Sequence, residues 1–130
     1  MASIFTKIIN GEIPSYKVAE DENYYAFLDI APMQKGHTLV VPKREEDYIF
    51  DLTDEELAGL MVFAKKVAKA IEKSVPCKRV GIGVLGLDVP HAHVHLVPLV
   101  EGNELNFNNP KKQFPKEEME ACAKLIQSNL

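Results

Sequence analysis

The sequence VPHAHVHLVP (residues 89–98) alternates histidine with small or branched apolar side chains through its centre. Successive side chains of a β-strand point to opposite faces of the sheet, whereas a helix spreads such positions around its surface. The alternation therefore predicts a strand over residues 91–97, with His91, His93 and His95 on one face and apolar side chains on the other. We call these three residues the histidine row.

The simplest interpretation of the histidine row is a solvated polar face, although such faces more usually carry Thr, Lys or Glu. A metal site is the second interpretation. At ~3.3 Å per residue, His91 and His95 would lie roughly 13 Å apart, too far for one zinc ion with nitrogen ligands at ~2.1 Å. Two members of the row and His37 remain as a three-histidine set, but no Cys-x-x-Cys or His-Glu-x-x-His motif accompanies them. We expect no metal and no cofactor, and keep a metal-dependent hydrolase as an alternative.

Nucleophilic catalysis is the third interpretation and the one we adopt. A neutral imidazole attacks well near pH 7 because its unperturbed pKa is ~6.5. It can form a covalent intermediate at phosphorus, while neighbouring imidazoles donate to phosphoryl oxygens where charge develops. A nucleophile flanked by two such donors suits phosphoryl or nucleotidyl transfer.

Length, charge and cysteine content restrict the class of protein. A chain of 130 residues, 46% of them apolar, is long enough for one domain with its own core. The net charge of −4 argues against a nucleic acid polymer as partner, but not against a small anion. Cys77 and Cys122 are too few for a disulfide framework, and no apolar run approaches a membrane span. We therefore expect a cytoplasmic protein with reduced thiols and no membrane partner.

Local patterns predict an α+β fold around the histidine row. Ser3 caps a short helix that ends at residues 10–11, and Thr53 with Glu56 forms a capping box that opens a long helix ending near Ser74. The predicted strands cover residues 16–18, 24–28, 37–41, 80–87 and 91–97, and a last helix begins at Lys116 after a loop over residues 101–114. Short links between the first strands favour antiparallel pairing, which gives an antiparallel sheet of about five strands with two main helices.

The segment GIGVLG (residues 81–86) matches the dinucleotide-binding pattern G-x-G-x-x-G. That pattern has its meaning only between a strand and the helix it opens. Here a long helix precedes the segment and Pro90 with the histidine row follows it. We therefore expect the glycines to allow a close approach of backbone or ligand instead.

Three further segments extend the pattern beyond the histidine row. They are IFTKIINGEIP (residues 4–14), AFLDIAP (residues 26–32) and GHTLVVPK (residues 36–43). Together with His-x-His-x-His, and in this order, they resemble the histidine triad (HIT) family, specifically its small nucleotide-binding branch. The resemblance runs from about residue 3 to residue 98 of a single HIT-like domain that we expect to span residues 1–130.

This resemblance implies a role for each histidine. His93 would attack the α-phosphorus of a nucleotide and carry the nucleotidyl group, while His95 would hold a phosphoryl oxygen. His91 and His37 would orient these groups through hydrogen bonds. Asp29 matches the family carboxylate that binds the ribose hydroxyls. The apolar slot for the base is matched by Ile4, Phe5, Ile8, Phe27 and Ile30.

The resemblance also implies a HIT-like sheet that extends across a homodimer. The implied activity is hydrolysis or transfer at the α-phosphate of purine nucleotide derivatives, either phosphoramidates or dinucleoside polyphosphates, through a covalent nucleotidyl-histidine. A nucleotide-binding module with little or no turnover is the competing class.

The residues just before the histidine row depart from the family. Members commonly have Gly-Gln-Ser/Thr-Val there, but this chain has Gly86, Leu87, Asp88 and Val89. A carboxylate at Asp88 would repel an anionic substrate, unless it is protonated and acts as a leaving-group acid, turns away, or meets a different substrate. Thr6 also stands where some members have a cysteine that binds zinc, so we expect no structural zinc.

Overall fold

The computed structural model describes residues 2–130 and contains one antiparallel sheet with helices packed against it. The helices are α1 (Ile4–Ile9), α2 (Asp54–Ser74) and α3 (Lys116–Ser128), and a single 3-10 turn covers Ile49–Asp51. The strands are β1 (Lys17–Glu20), β2 (Tyr24–Leu28), β3 (Thr38–Pro42), β4 (Arg79–Gly83) and β5 (Val94–Leu99). They lie in the order β1-β2-β3-β5-β4, and every neighbouring pair is antiparallel. The predicted α+β class and five-stranded sheet are confirmed.

The long helices α2 and α3 cover one face of the sheet. The capping box at Thr53 and Glu56 is present, as the sequence predicts, and the helix then buries Leu60, Val67 and Ile71 in the main core. In the part of the chain that is described, no helix has both the length and the apolar character that a membrane span requires.

The other face of the sheet carries a second, smaller apolar cluster beneath the short helix α1. It consists of Phe5, Tyr25, Phe27, Leu39 and Val41. Because β2 and β3 are buried on both faces, they place side chains in both clusters. The smaller cluster supports the histidine row.

The strand that carries the histidine row begins later than predicted, at Val94 rather than at residue 91. Pro42 ends the neighbouring strand and has no N–H to continue the ladder. Its carbonyl oxygen accepts a hydrogen bond from the His91 side chain instead, and Ala92 N donates to the Glu46 carbonyl at 2.6 Å. Of the row, only His95 therefore lies in β5. The alternation nevertheless holds, because Ala92 and Val94 both lie in the main core on the opposite face.

The strand β4 is also shorter than the predicted segment over residues 80–87, since it ends at Gly83. Beyond it the chain leaves the sheet and turns at Gly86, whose φ is +78°. The next element after the glycines is the strand β5 and not a helix, so the dinucleotide-binding interpretation fails in the structure too. A Cβ on Gly81 would lie 3.0 Å from the Leu99 side chain and 3.2 Å from that of Leu105, which shows that this glycine allows a close approach.

Candidate active site

All four histidines are buried on the sheet face opposite α2 and α3, at 6% exposure or less. His95 pairs with Leu39 of β3 and with Gly83 of β4, so two neighbouring strands fix its backbone. The ring centroids of His93 and His95 are 5.0 Å apart, and those of His37 and His95 are 5.2 Å apart. The histidine row and His37, which the sequence separates by more than fifty residues, therefore form one cluster.

Hydrogen bonds to the backbone determine the tautomers of His91 and His93. The Pro42 carbonyl oxygen can only accept, so His91 donates to it from Nε2 at 2.8 Å. The His91 Nδ1 then accepts from the Ser3 hydroxyl at 2.7 Å. By the same reasoning, His93 donates from Nδ1 to the His91 carbonyl oxygen at 2.7 Å. In its neutral form the His93 ring consequently has its lone pair on Nε2.

A second chain of hydrogen bonds gives His95 the opposite tautomer. The Met33 N–H donates to Nδ1 of His37 at 3.0 Å, which places the proton of that ring on Nε2. The His37 Nε2–H then donates to Nδ1 of His95 at 3.0 Å. His95 therefore carries its own proton on Nε2. The cluster thus contains one ring with a free lone pair at Nε2 and a neighbouring ring with a donor there.

Burial keeps these rings neutral. It lowers the pKa of His37 to about 3 and that of His95 to about 4. The positive charge of Lys111 acts in the same direction on both rings, whereas the Asp88 carboxylate opposes the shift of His95. Burial also lowers the pKa of His91. Near neutral pH each of the three rings therefore holds one proton, as the hydrogen bonds require.

The tautomers bear on whether the cluster fits a metal ion. Ligand atoms of Asp29, His37 and His95 lie within 4.8 Å of one another. A metal ion would need lone pairs on His37 Nε2 and His95 Nδ1. The Met33 N–H, however, occupies the only other nitrogen of His37 and keeps the proton on Nε2. The hydrogen-bonded arrangement does not fit a metal ion at this position.

Asp29 lies beside the histidine cluster at the end of β2. One carboxylate oxygen accepts from the Ala31 N–H at 2.9 Å, and the other is 3.7 Å from Nε2 of His37. Desolvation raises the pKa of this carboxyl, against the lowering effect of the Ala31 hydrogen bond. About a fifth of the side chain remains exposed, so the carboxylate is accessible to a ligand.

Asp88 faces the proposed nucleophile rather than turning away from it. Its Oδ1 is 3.4 Å from Nε2 of His93, and three quarters of the side chain is exposed. The neighbouring Leu87 is 90% exposed and contributes nothing to the core. The departure from the family pattern therefore lies on the solvent side of His93 Nε2.

The residues predicted for the apolar slot divide into two groups. Phe5 and Phe27 are buried in edge-to-face contact at 5.5 Å, and the Phe5 ring also packs against His93 at 5.0 Å. Ile8 is half-buried against the same cluster. Ile4 and Ile30 are 49% and 76% exposed and lie outside both apolar clusters. The aromatic pair thus supports the histidines from below, while the two exposed isoleucines are free to contact a ligand.

Two polar contacts near the site have no signal in the sequence. Glu45 accepts from the Ser3 N–H at 2.6 Å and from the Thr6 hydroxyl at 2.7 Å, and these bonds hold its pKa at about 2. Ser3, predicted only as a helix cap, thereby joins α1 to His91. Thr6 is occupied in this network, and its hydroxyl is a poorer zinc ligand than a thiolate.

A loop far along the chain also reaches the site. Phe107 packs edge-on against the His95 ring, with centroids 4.8 Å apart, and the Lys111 ammonium lies over the Phe107 ring. The predicted loop over residues 101–114 is confirmed, but its composition does not indicate where it packs.

Comparison with known proteins agrees with the family resemblance and with the fold. The family model described as the HIT domain matches residues 10–102. A HIT-like protein of Methanocaldococcus jannaschii is 44% identical over 110 residues, covering 77% of this chain and 81% of that protein. An adenosine 5'-monophosphoramidase of Schizosaccharomyces pombe is 37% identical over 134 residues, covering 100% and 99%. The crystal structure of a zinc-bound histidine triad family protein from Mycobacterium smegmatis is 30% identical, with a TM-score of 0.85 and coverage of 99% and 93%.

Proposed function

The chain belongs to the HIT domain family, and we propose that it hydrolyses or transfers purine nucleotide derivatives at their α-phosphate through a nucleotidyl-His93 intermediate. Family membership and the named monophosphoramidase relative support nucleotide hydrolysis in general. Phosphoramidates and dinucleoside polyphosphates are the two substrate types we put forward.

The opposite tautomers of His93 and His95 carry this proposal. His93 has its lone pair on Nε2 because its Nδ1–H is bonded to the His91 carbonyl oxygen at 2.7 Å. His95 has a donor on Nε2 because its Nδ1 accepts from His37 at 3.0 Å. Nucleophile and phosphoryl-oxygen donor therefore stand side by side without reorganisation, which is the arrangement that electrostatic preorganisation requires.

The proposed reaction proceeds in two displacements. The His93 Nε2 lone pair forms a bond to the α-phosphorus, and the leaving group departs with the electron pair of its own bond to phosphorus and takes up a proton from the solvent. The Nδ1–H bond to the His91 carbonyl stabilises the positive imidazolium ring that results. Water then attacks the same phosphorus and loses a proton to the solvent, the P–N bond breaks, and its electron pair returns to Nε2.

Asp29 and the apolar residues would hold the nucleoside. An accessible carboxylate can accept from both vicinal hydroxyls of a ribose. Phe5, Phe27 and Ile8 would form the floor of the base slot, and Ile4 and Ile30 its exposed edges. The purine preference rests on the resemblance.

A nucleotide-binding module with little turnover is the second candidate, and Asp88 favours it. A carboxylate 3.4 Å from the reactive nitrogen opposes the approach of an anionic phosphoryl group. Under this alternative His93 stays unmodified and the protein binds AMP without releasing a product.

We also propose a homodimer that forms across β4. This strand lies at the edge of the sheet, so one row of its backbone N–H and C=O groups has no partner strand. Four apolar side chains on and beside this edge are exposed by between 38% and 54%: Ile82 on β4, Val84 and Leu85 just after it, and Met61 on α2. They line an open groove of about 670 Å³. A second copy would continue the sheet and cover this apolar surface.

The cytoplasm is the compartment we propose. Cys77 and Cys122 are both free thiols, and Cys122 is buried. This fits a reducing compartment. The net charge of −4 keeps nucleic acid polymers outside the expected partners.

The decisive experiment compares the unaltered protein with His93→Ala on adenosine phosphoramidate and on diadenosine polyphosphate, with and without a chelator. We expect turnover that the chelator does not affect, loss of turnover in His93→Ala, and an acid-labile adenylyl group on the unaltered protein alone. Equal turnover by both proteins would eliminate the nucleophile assignment. Loss of activity on chelation would restore the metal-dependent alternative, and AMP binding without turnover would favour the binding module.

A further inference from the structure

Residues 101–115, which we call the C-terminal strap, connect β5 to α3 and pack on their own chain. The Lys112 N–H donates to the Pro32 carbonyl at 2.8 Å, two residues beyond Ile30 in the loop that follows Asp29. Leu105 lies over Gly81 and Gly83 of β4, where a glycine leaves room for it. The strap is therefore held at both sides of the histidine cluster.

Between these two attachments the strap brings an aromatic ring and a cation to the cluster. Phe107 packs against the ring of His95, and the Lys111 Nζ lies 5.9 Å from the centre of the Phe107 ring. The electrostatic effect of Lys111 extends into the site. Burial raises the pKa of Asp29, and the positive charge of Lys111 opposes that rise. Burial lowers the pKa of His37 and of His95, and the same charge adds to both shifts.

The charges around the site make this cation significant. Asp29 and Asp88 bring two carboxylates close to the proposed position of the phosphoryl group. Burial keeps His37, His91 and His95 neutral, so these rings offer no positive charge against them. An anionic substrate therefore meets net negative charge unless a cation compensates it. Among residues 2–130, no carboxylate forms an ion pair with Lys111, whereas the neighbouring Lys112 donates from Nζ to the Gln34 side chain. Lys111 thus has a charge that is available to a ligand.

We propose that Lys111 binds the phosphoryl group of the nucleotide, so that the C-terminal strap supplies a charge-compensating contact to the site of its own chain. This inference rests on the proposed function, since it needs a nucleotide in the histidine site. The Phe107 ring acts as the support that holds the flexible lysine over the cluster. The contact is with the phosphate and not with the nucleoside.

The test measures binding of AMP and of adenosine to the unaltered protein, Lys111→Gln and Lys112→Gln by titration calorimetry at two salt concentrations. We expect Lys111→Gln to weaken AMP binding about tenfold, the size of one charged hydrogen bond, and to leave adenosine binding unchanged. The affinity of the unaltered protein for AMP should fall more steeply with salt than that of Lys111→Gln. Lys112→Gln removes the same charge from the adjacent position and should behave like the unaltered protein.

Three other results of these titrations would overturn the assignment of Lys111. AMP binding that Lys111→Gln leaves unchanged overturns this inference alone. An equal loss of AMP and adenosine affinity also overturns it, since a displaced strap, not a lost phosphate contact, would then be responsible. A protein that binds neither AMP nor adenosine before any substitution overturns the proposed function, and this inference with it.

Discussion

His37 and His95 share a hydrogen bond of 3.0 Å in which Nε2 of His37 donates to Nδ1 of His95. The direction of the bond is set by a backbone group, because the Met33 N–H occupies Nδ1 of His37. A residue that need not touch the substrate thereby decides which nitrogen of His95 carries a proton. His37 is, in this sense, the positioning residue for His95.

Replacing His37 tests this positioning role. In His37→Ala, His95 can adopt either tautomer, and part of the population loses the donor that would face a phosphoryl oxygen. We expect kcat to fall about 10- to 100-fold, less than the loss of a whole donor, while KM changes little. Steady-state kinetics on adenosine phosphoramidate measure both quantities.

His37→Gln provides the conservative comparison, since its amide can donate to His95. Partial recovery of kcat in this variant, together with a single His95 tautomer in nitrogen NMR spectra, would support the role. An unchanged kcat in His37→Ala would contradict it.

The buried histidines also predict how stability depends on pH. Their pKa values in the folded protein, about 3 for His37 and about 4 for His95, lie below the ordinary 6.5. Between those values the unfolded chain binds more protons than the folded one, so stability falls as pH falls from about 6.5 towards 4. At pH 7 and above, this contribution is fully present.

Urea unfolding at pH 7.0 and 5.0 measures the effect. We expect a loss of several kcal/mol in the free energy of unfolding, with a slope approaching about two protons. Three carboxyls also have strongly lowered pKa values, namely Glu45, Glu56 and Glu104. They change the stability only below about pH 4.5, outside the pH range of this measurement. Because burial also lowers the pKa of His91, His95→Asn should reduce the slope between pH 7.0 and 5.0 by at most about one proton and not abolish it. An unchanged slope would exclude His95 as a source.

Asp88 can be tested as an obstacle to anionic substrates. The Asp88→Ser substitution removes a carboxylate 3.4 Å from Nε2 of His93. We expect kcat/KM to rise about two- to fivefold at low salt and less at high salt, since exposed charge interactions are worth ~0.2–1 kcal/mol. Asp51→Ser, at an exposed carboxylate outside both the histidine cluster and the groove along β4, is the matched control.

A fall in turnover in Asp88→Ser would instead assign Asp88 a part in the reaction, such as protonation of the leaving group. The salt dependence separates the two cases, because a proton donor is much less sensitive to screening than a long-range repulsion.

The proposed dimer predicts different results for two similarly exposed apolar residues. Ile82 on the edge strand β4 is 47% exposed, and Leu125 on α3 is 49% exposed. Ile82→Lys would place a charge in the dimer interface and should produce monomers at concentrations where the unaltered protein is dimeric. Leu125→Lys should leave the dimer intact. Light scattering after size-exclusion chromatography gives the masses, and a monomeric unaltered protein would disprove the interface.

The sequence predicts the helix starts and the face of the sheet that carries the histidines, because the patterns that determine them are local. The capping box of Thr53 and Glu56, the cap at Ser3 and the alternation of Ala92, Val94 and His95 depend on neighbours within four residues. They determine where helices begin and which face of the sheet receives the histidines. The predicted start of the histidine strand is wrong because Pro42, a residue of another strand, ends the pairing.

The tertiary structure alone decides the chemistry of each histidine. A sequence of imidazoles does not specify tautomers, because the proton position depends on what the other nitrogen contacts. Here those contacts are the Met33 N–H, in the loop before β3, and the Pro42 carbonyl, at the end of β3. The same holds for Lys111, which reaches the site only because the C-terminal strap packs over β4 and His95. Long-range packing brings these groups together, and no local pattern encodes it.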